Sequence, residues 1–189
     1  MYTYTKNDRS DRTVNGYNNE CIPEKLDKTV TNVVKLLEHK GWTVSTAESC
    51  TGGLLSQLIT SVPGASDVFE LGVCSYSERI KNEILGVPLD DIAHYGVVSE
   101  EVALDMVGGL KRLSGADICV STTGIAGPSG GTPEKPVGTV WIGFDIRGRR
   151  FARLPELWKL PDKSRSSIRT AAAAFIFETL EKLLTEEIP

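Results

Sequence analysis

WTVSTAESCTGGLLSQLITS, residues 42–61, is the stretch that decides the fold of this chain. Its first six residues, Trp42 to Ala47, are rich in the β-branched residues that favour a strand. A turn containing Gly52 and Gly53 follows, and the helical stretch from Leu54 to Ser61 ends at a Pro-Gly pair. The stretch therefore predicts a strand, a glycine-containing turn and a helix, the unit from which α/β domains are built.

The same alternation continues on both sides of this unit. Upstream, Leu26, Val30, Val33 and Leu37 recur at helical spacing between Pro23 and Gly41. Downstream, the pattern predicts a strand over 68–76, helices over 77–85 and 99–113, a strand over 118–122, a hairpin of 137–146 with 151–160 across Gly148, and a long closing helix. Strands that alternate with helices predict an α/β fold, a single-domain three-layer α/β/α sandwich, and the hairpin makes its mostly parallel sheet a mixed one.

Length and composition describe one globular domain. The 189 residues are 40% hydrophobic and 24% charged, and the net charge of −4 argues against a nucleic-acid-binding surface. No apolar run approaches the roughly 18 residues of a membrane span, so no membrane association is expected. Residues 1–22 are polar and lack the apolar core of a signal peptide, which predicts a flexible leader before a domain over 23–187 and a cytoplasmic location.

Four cysteines lie too far apart in the sequence for a zinc site and are too few for a secreted disulfide scaffold. We therefore expect reduced, mostly buried thiols and no bound metal. They are Cys21, Cys50, Cys74 and Cys119.

The turn between the first predicted strand and helix is a candidate reaction site. Ligands of α/β sheets bind at the carboxyl ends of strands, where helices begin. Ser49 is a candidate nucleophile there, and Thr51, Gly52 and Gly53 are candidate oxyanion or anion binders. Alternatively, Ser49 or Thr51 only caps the helix, and the glycines only allow the turn. Cys50 is a rival nucleophile whose simpler interpretation is a buried apolar residue.

A second loop, residues 122–136, is dense in Gly and Pro but lacks the glycine spacing of known phosphate-binding motifs. An irregular segment of this length inside a compact domain is typical of a ligand-binding loop. Its simpler interpretation is a surface connection between strands.

A serine nucleophile needs a base. His39 and His94 do not follow strands as a triad histidine commonly does, whereas Lys81 lies one helical turn after the second strand. A lysine becomes a base when burial lowers its pKa, although most helix lysines are only solvated charges. Arg165 and Arg169 share one face of the last helix and are candidates for binding phosphate or carboxylate, or are ordinary surface charge.

Taken together and in order, these motifs resemble the CinA carboxy-terminal domain family over about residues 24–185. The motifs are Thr46-Ala-Glu-Ser-Cys-Thr-Gly-Gly53, Tyr76-Ser77 with Lys81, Gly96-Val-Val-Ser-Glu100, Gly124-Ile-Ala-Gly-Pro128 and Lys135-Pro-Val-Gly-Thr-Val-Trp141. The family includes stand-alone nicotinamide-mononucleotide deamidases.

The resemblance implies a metal-free, cofactor-free amidohydrolase that converts nicotinamide mononucleotide to nicotinic acid mononucleotide and ammonia. It implies that Ser49 is the nucleophile and Lys81 its base, with Tyr76 beside them. The substrate-binding residues expected with it are Glu48, Thr51, Gly52, Gly53, Thr123, Gly124, Gly127 and Arg165. We expect a small-molecule substrate as partner, no nucleic acid and a homo-oligomer.

One departure from the family pattern lies before the last helix. The family often has Gly-Asp-Arg there, where this chain has Lys163-Ser-Arg165.

Two alternatives to the deamidase function stay open. The first is a catalytically inactive relative that binds a nucleotide or another protein, and the second is a serine amidase for a different small substrate.

Overall fold

The computed structural model describes residues 23–186, so Cys21, the predicted leader over 1–22 and residue 187 lie outside the described residues. Helices and strands alternate along this part of the chain. They are α1 (Glu24–Lys40), β1 (Val44–Glu48), α2 (Leu54–Thr60), β2 (Phe69–Cys74), α3 (Glu78–Leu85), α4 (Leu89–Tyr95), α5 (Glu100–Ser114), β3 (Ile118–Gly124), β4 (Val140–Ile146), β5 (Arg149–Arg153) and α6 (Arg165–Thr185).

The five strands form one mixed sheet in the order β2-β1-β3-β4-β5. β1 pairs in parallel with β2 and with β3, whereas β4 is antiparallel to both of its neighbours. Four of the five strands therefore point in the same direction. The late hairpin adds the one reversed strand, as the sequence predicts.

Helices cover both faces of this sheet. On one face α1, α2 and α6 contribute to a core that includes Leu37, Leu58 and Ile176, and on the other α3, α4 and α5 contribute Leu85, Ile92 and Met106. Every residue of β1 is buried, as expected for a strand covered on both sides. The predicted three-layer α/β/α sandwich is confirmed.

The hairpin strands are shorter than their apolar patterns. β4 begins at Val140, because Gly138 has a φ of +98° and donates its N–H to Ile125 O, which belongs to a turn rather than a strand. β5 ends at Arg153, and a short 3-10 helix over Leu157–Lys159 replaces the rest of the predicted strand.

The sequence did not predict α4. This seven-residue helix has a single buried residue, Ile92, so it carries no apolar periodicity to detect. The first helix begins one residue later than expected, with Pro23 as its N-cap.

Two further expectations concern membranes and thiols. No helix within residues 23–186 has both the length and the apolar composition needed to cross a bilayer. Cys50 and Cys119 are buried thiols, but Cys74 is exposed near the end of the edge strand β2, which differs from the expectation for that residue.

Candidate active site

The carboxyl ends of the parallel strands β1, β2 and β3 meet at a cavity of about 250 Å³. This edge of an open α/β sheet is where ligands characteristically bind. The cavity is lined by Ser49, Cys50, Tyr76, Lys81, Val97, Val98, Thr123, Gly124, Ile125, Ala126, Gly127, Ser129, Gly130 and Arg165.

Ser49 is the first residue after β1 and is held against β3. Its N–H donates to Thr122 O at 3.1 Å, and the hydroxyl of Thr122 lies 2.8 Å from that of Thr51. The Ser49 side chain is left at the cavity, where the residue is 8% exposed. The neighbouring strand therefore fixes the turn while leaving the hydroxyl accessible.

Lys81 lies beside this hydroxyl. Ser77 caps α3, and one turn into the helix the Lys81 Nζ lies 3.0 Å from Ser49 Oγ. Two main-chain carbonyls, of Ser75 at 2.8 Å and Tyr76 at 3.4 Å, accept from the same nitrogen. A neutral amine has two N–H groups for these carbonyls and one lone pair for the serine proton, so this geometry suits a base.

Burial favours that neutral form. Lys81 is 0% exposed, and none of the salt bridges among the described residues includes it. Loss of hydration lowers the pKa of Lys81 below its usual value, and the nearby ionisable groups of Cys50 and Glu78 oppose this only in part.

The rival catalytic groups fit less well. Burial raises the pKa of the Cys50 thiol to about 11, so this thiol stays protonated at neutral pH. Neither His39 nor His94 lines the cavity, so neither supplies the imidazole base that a serine triad requires.

Glu48, expected to contact substrate, instead organises the start of α2. It is 0% exposed and does not line the cavity. Its Oε2 accepts from the N–H groups of Gly53 at 2.9 Å and Leu55 at 3.1 Å, and its Oε1 accepts from the N–H and hydroxyl of Ser56 at 2.9 and 2.8 Å. A carboxylate at a helix N-terminus satisfies N–H groups that have no partner within the helix.

The expected oxyanion donors are also partly occupied. The N–H of Gly52 donates to Ser49 O, and the N–H of Gly53 is used by Glu48. The side chain of Thr51 is buried, and none of these three residues lines the cavity. Within the described residues, the turn amides without a main-chain or carboxylate acceptor are those of Cys50 and Thr51, and of these two residues only Cys50 lines the cavity.

Tyr76 lines the cavity in a different manner from that expected. The residue is 66% exposed, and no hydrogen bond joins its hydroxyl to Ser49 or Lys81. The carbonyl of Tyr76, rather than its phenol, contacts the lysine. Its contribution to the pair therefore comes from the main chain.

The far side of the cavity combines the 122–136 loop with the start of α6. Gly124, Gly127 and Arg165, three of the predicted substrate-binding residues, line it, and Arg165 is exposed at the first position of the helix. The hydroxyl of Thr123, also in the lining, donates to Val97 O at 2.6 Å. Arg169 does not line this cavity with Arg165. It lines a separate groove beside α2, and its guanidinium lies next to Gly52.

Three residues that contribute to the site were not predicted from the sequence. Thr122 and Ser75 act where the strands end, and Ser56 completes the hydrogen bonds of Glu48. Only Thr122 had a usable signal, a hydroxyl at the predicted end of a strand. Across the described residues, no group of three or more His, Cys, Asp or Glu side chains is arranged to hold a metal ion.

Known proteins share both the sequence pattern and this fold. The CinA C-terminal domain matches residues 26–184. A CinA-like protein of Thermotoga maritima is 47% identical over 89% of this chain and 43% of its own length, so the chain spans less than half of that relative. Another CinA-like protein, from Akkermansia muciniphila, is 54% identical over 61% of this chain and 28% of its own length.

Solved structures agree with these sequence matches. The competence/damage inducible protein CihA from Agrobacterium tumefaciens has a TM-score of 0.81 and 34% identity, covering 87% of this chain and 98% of that one. A CinA superfamily protein from Klebsiella pneumoniae has a TM-score of 0.79 and 30% identity, covering 85% and 98%. The chain therefore belongs to the CinA C-terminal domain family.

Proposed function

We propose that this chain is an amidohydrolase that converts nicotinamide mononucleotide to nicotinic acid mononucleotide and ammonia. The observation that carries the proposal is the pair formed by Ser49 Oγ and the fully buried Lys81 Nζ, 3.0 Å apart. The choice of substrate comes from the resemblance to the CinA carboxy-terminal domain family, because that family includes nicotinamide-mononucleotide deamidases.

In the first half of the reaction, Ser49 Oγ attacks the carboxamide carbon while Lys81 Nζ takes the serine proton. The negative charge on the carbonyl oxygen is stabilised by the N–H group of Cys50, a residue that lines the cavity beside Ser49. As the carbon–nitrogen bond breaks, Lys81 returns the proton to the departing ammonia. The nicotinate is left as an ester on Ser49.

In the second half, a water molecule attacks this ester. Lys81 accepts a proton from the water and passes it to Ser49 Oγ when the ester bond breaks. One amide and one water thus give one carboxylic acid and one ammonia, and Lys81 ends in the neutral form in which it began.

Substrate orientation would come from the opposite wall of the cavity. Arg165 lines the same cavity as Ser49 and presents a guanidinium at the first turn of a 21-residue helix. A guanidinium and the positive end of a helix both favour phosphate. The ribose phosphate therefore lies against Arg165 and the loop around Gly127, with the carboxamide at Ser49.

Ammonia release from nicotinamide mononucleotide tests this proposal directly. Wild-type protein should release ammonia, and a brief reaction stopped with acid should leave the nicotinate nucleotide ester on the peptide that contains Ser49. Ser49→Ala should give neither signal, and Ser61→Ala, a serine at the end of α2, should give both.

Two other results would select the alternatives. Binding of nicotinamide mononucleotide without ammonia release by the wild type would indicate an inactive relative. Ammonia release from other small amides, but not from this nucleotide, would indicate a serine amidase with a different substrate.

A further inference from the structure

One wall of the cavity is a turn between α4 and α5 whose main chain is held by side chains. Val97 and Val98 of this turn line the cavity. All four successive carbonyls of residues 95–98 accept a hydrogen bond from a side chain. The donors are Lys135 Nζ to Tyr95 O at 3.2 Å, Ser99 Oγ to Gly96 O at 2.8 Å, Thr123 Oγ1 to Val97 O at 2.6 Å and Lys135 Nζ to Val98 O at 2.8 Å.

Lys135 supplies two of these four bonds from the loop that forms the opposite wall. Within residues 124–130 of this loop, every residue except Pro128 lines the cavity. The backbone of Lys135 is fixed, because its N–H donates to Thr132 Oγ1 at 3.1 Å and its carbonyl accepts from the Thr132 N–H at 2.9 Å. A single side chain therefore connects the two loops that form opposite walls of the cavity. Lys135 and Val98 are 37 residues apart in sequence.

The chemistry of this contact suits an ammonium group. Tyr95 is the last residue of α4, and a cation is favoured beside the carbonyls at a helix C-terminus. Gly96 has a φ of +81°, which glycine adopts without strain, and this turn in the main chain brings the carbonyls on either side of it to Lys135 Nζ. Lys135 takes part in none of the salt bridges among residues 23–186, so main-chain carbonyls are its acceptors.

We propose that Lys135 is a positioning residue that holds the Val97–Val98 wall against the 124–130 wall and so sets the affinity for the nucleotide. The inference rests on the proposed function for the identity of the ligand. Lys135 does not line the cavity and takes no part in the proton transfers. Lys135 holds the turn in its substrate-binding conformation before the substrate arrives. Binding then does not carry the entropy cost of ordering the turn.

Lys135→Met tests this role because methionine keeps the length of the side chain but donates no hydrogen bond. KM for nicotinamide mononucleotide should rise about tenfold or more, with kcat within about threefold of the wild type. Lys135→Arg should restore part of the lost affinity, since a guanidinium also donates to two carbonyls.

Lys111→Met is the matched control. Lys111 makes the same kind of contact at the end of α5, donating to the carbonyls of Gly115 and Ala116, away from the cavity. Its replacement should leave KM unchanged. A merely structural defect lowers the amount of folded enzyme and hence the apparent kcat, but it does not raise KM.

Amide hydrogen exchange of the ligand-free protein gives a second readout that needs no activity. Exchange at residues 95–99 should accelerate in Lys135→Met and not in Lys111→Met. Wild-type KM in Lys135→Met, an equal rise of KM in Lys111→Met, or unchanged exchange at 95–99 would each overturn the inference. If the wild type releases no ammonia, the proposed function fails, and the exchange measurement still decides whether Lys135 holds the turn.

Discussion

Replacing Lys81 with methionine removes the nitrogen that lies 3.0 Å from Ser49 Oγ while keeping most of the side-chain volume. If this nitrogen is the base, kcat/KM should fall by about 10²- to 10⁴-fold, the usual contribution of a positioned general base. Lys81→Arg should fail as well, because a guanidinium stays protonated at any usable pH. The wild-type rate should rise with pH through the lowered pKa of Lys81.

The same burial makes a prediction about stability. In the unfolded chain Lys81 regains its ordinary pKa near 10.5, whereas burial lowers the pKa in the folded protein. Between the two values the unfolded chain binds more protons, so the free energy of unfolding of the wild type rises with pH. The slope for one such group approaches about 1.4 kcal/mol per pH unit. Lys81→Met lacks this contribution.

Urea unfolding of both proteins from pH 7 to pH 11 measures the effect. The free energy of unfolding of the wild type minus that of Lys81→Met should increase as the pH rises, and should level off above about 10.5. Lys28→Met, which replaces an exposed lysine on α1, corrects for the loss of one positive charge. A difference that stays flat over this range, or a Lys81→Arg enzyme with wild-type turnover, would refute the assignment of Lys81 as a base kept neutral by burial.

Three further predictions concern the nucleophile, the phosphate and the buried carboxylate. Ser49→Ala should lose orders of magnitude in kcat with an unchanged thermal midpoint, whereas Cys50→Ala should stay active; the reverse pattern would show that the thiol is the nucleophile. Nicotinamide riboside, which lacks the phosphate, should have a kcat/KM roughly ten- to hundred-fold below that of the mononucleotide. Arg165→Gln should reduce this difference in kcat/KM between the two substrates. Equal kcat/KM values in the wild type would show that the phosphate is not recognised. Glu48→Gln should lower the free energy of unfolding by at least about 1–3 kcal/mol, because the buried N–H of Leu55 loses its acceptor and the half-buried N–H of Gly53 loses the same one. A free energy of unfolding equal to that of the wild type, measured by urea denaturation, would contradict this.

Strand order and helix spacing predicted that Ser49 and Lys81 lie at the same edge of the sheet, and the family resemblance paired them as nucleophile and base. Both follow strands that the pattern assigns to one sheet, and the carboxyl ends of parallel strands meet at one edge. Lys81 lies one helical turn beyond Ser77, whose side chain caps α3, and this local geometry is readable from the spacing. Proximity that depends on strand order and one turn of helix is therefore within reach of sequence reasoning.

The roles of Glu48 and Lys135 were not predictable in the same manner. Glu48 is adjacent to Ser49 in sequence, but side chains of successive strand residues point to opposite faces, and its carboxylate turns toward α2 instead of the cavity. Lys135 reaches Val98 only because of the path taken by an irregular loop, which has no periodicity to interpret. Contacts made across such loops depend on the three-dimensional path of the chain, which no local sequence pattern predicts.

The arrangement around Ser49 also explains how the fold tolerates a buried lysine that forms no salt bridge with any carboxylate among residues 23–186. Burying an amine lowers stability at neutral pH, because its charged form loses hydration. Nearby, the carboxylate of Glu48 satisfies three main-chain N–H groups at the start of α2, and Thr122 fixes the turn from β3. These bonds stabilise the elements on either side of Ser49 and do not engage Lys81 Nζ. The free-energy cost of burying Lys81 is therefore offset by neighbouring hydrogen bonds. These bonds do not involve Lys81 Nζ, so its lone pair stays available to the serine hydroxyl.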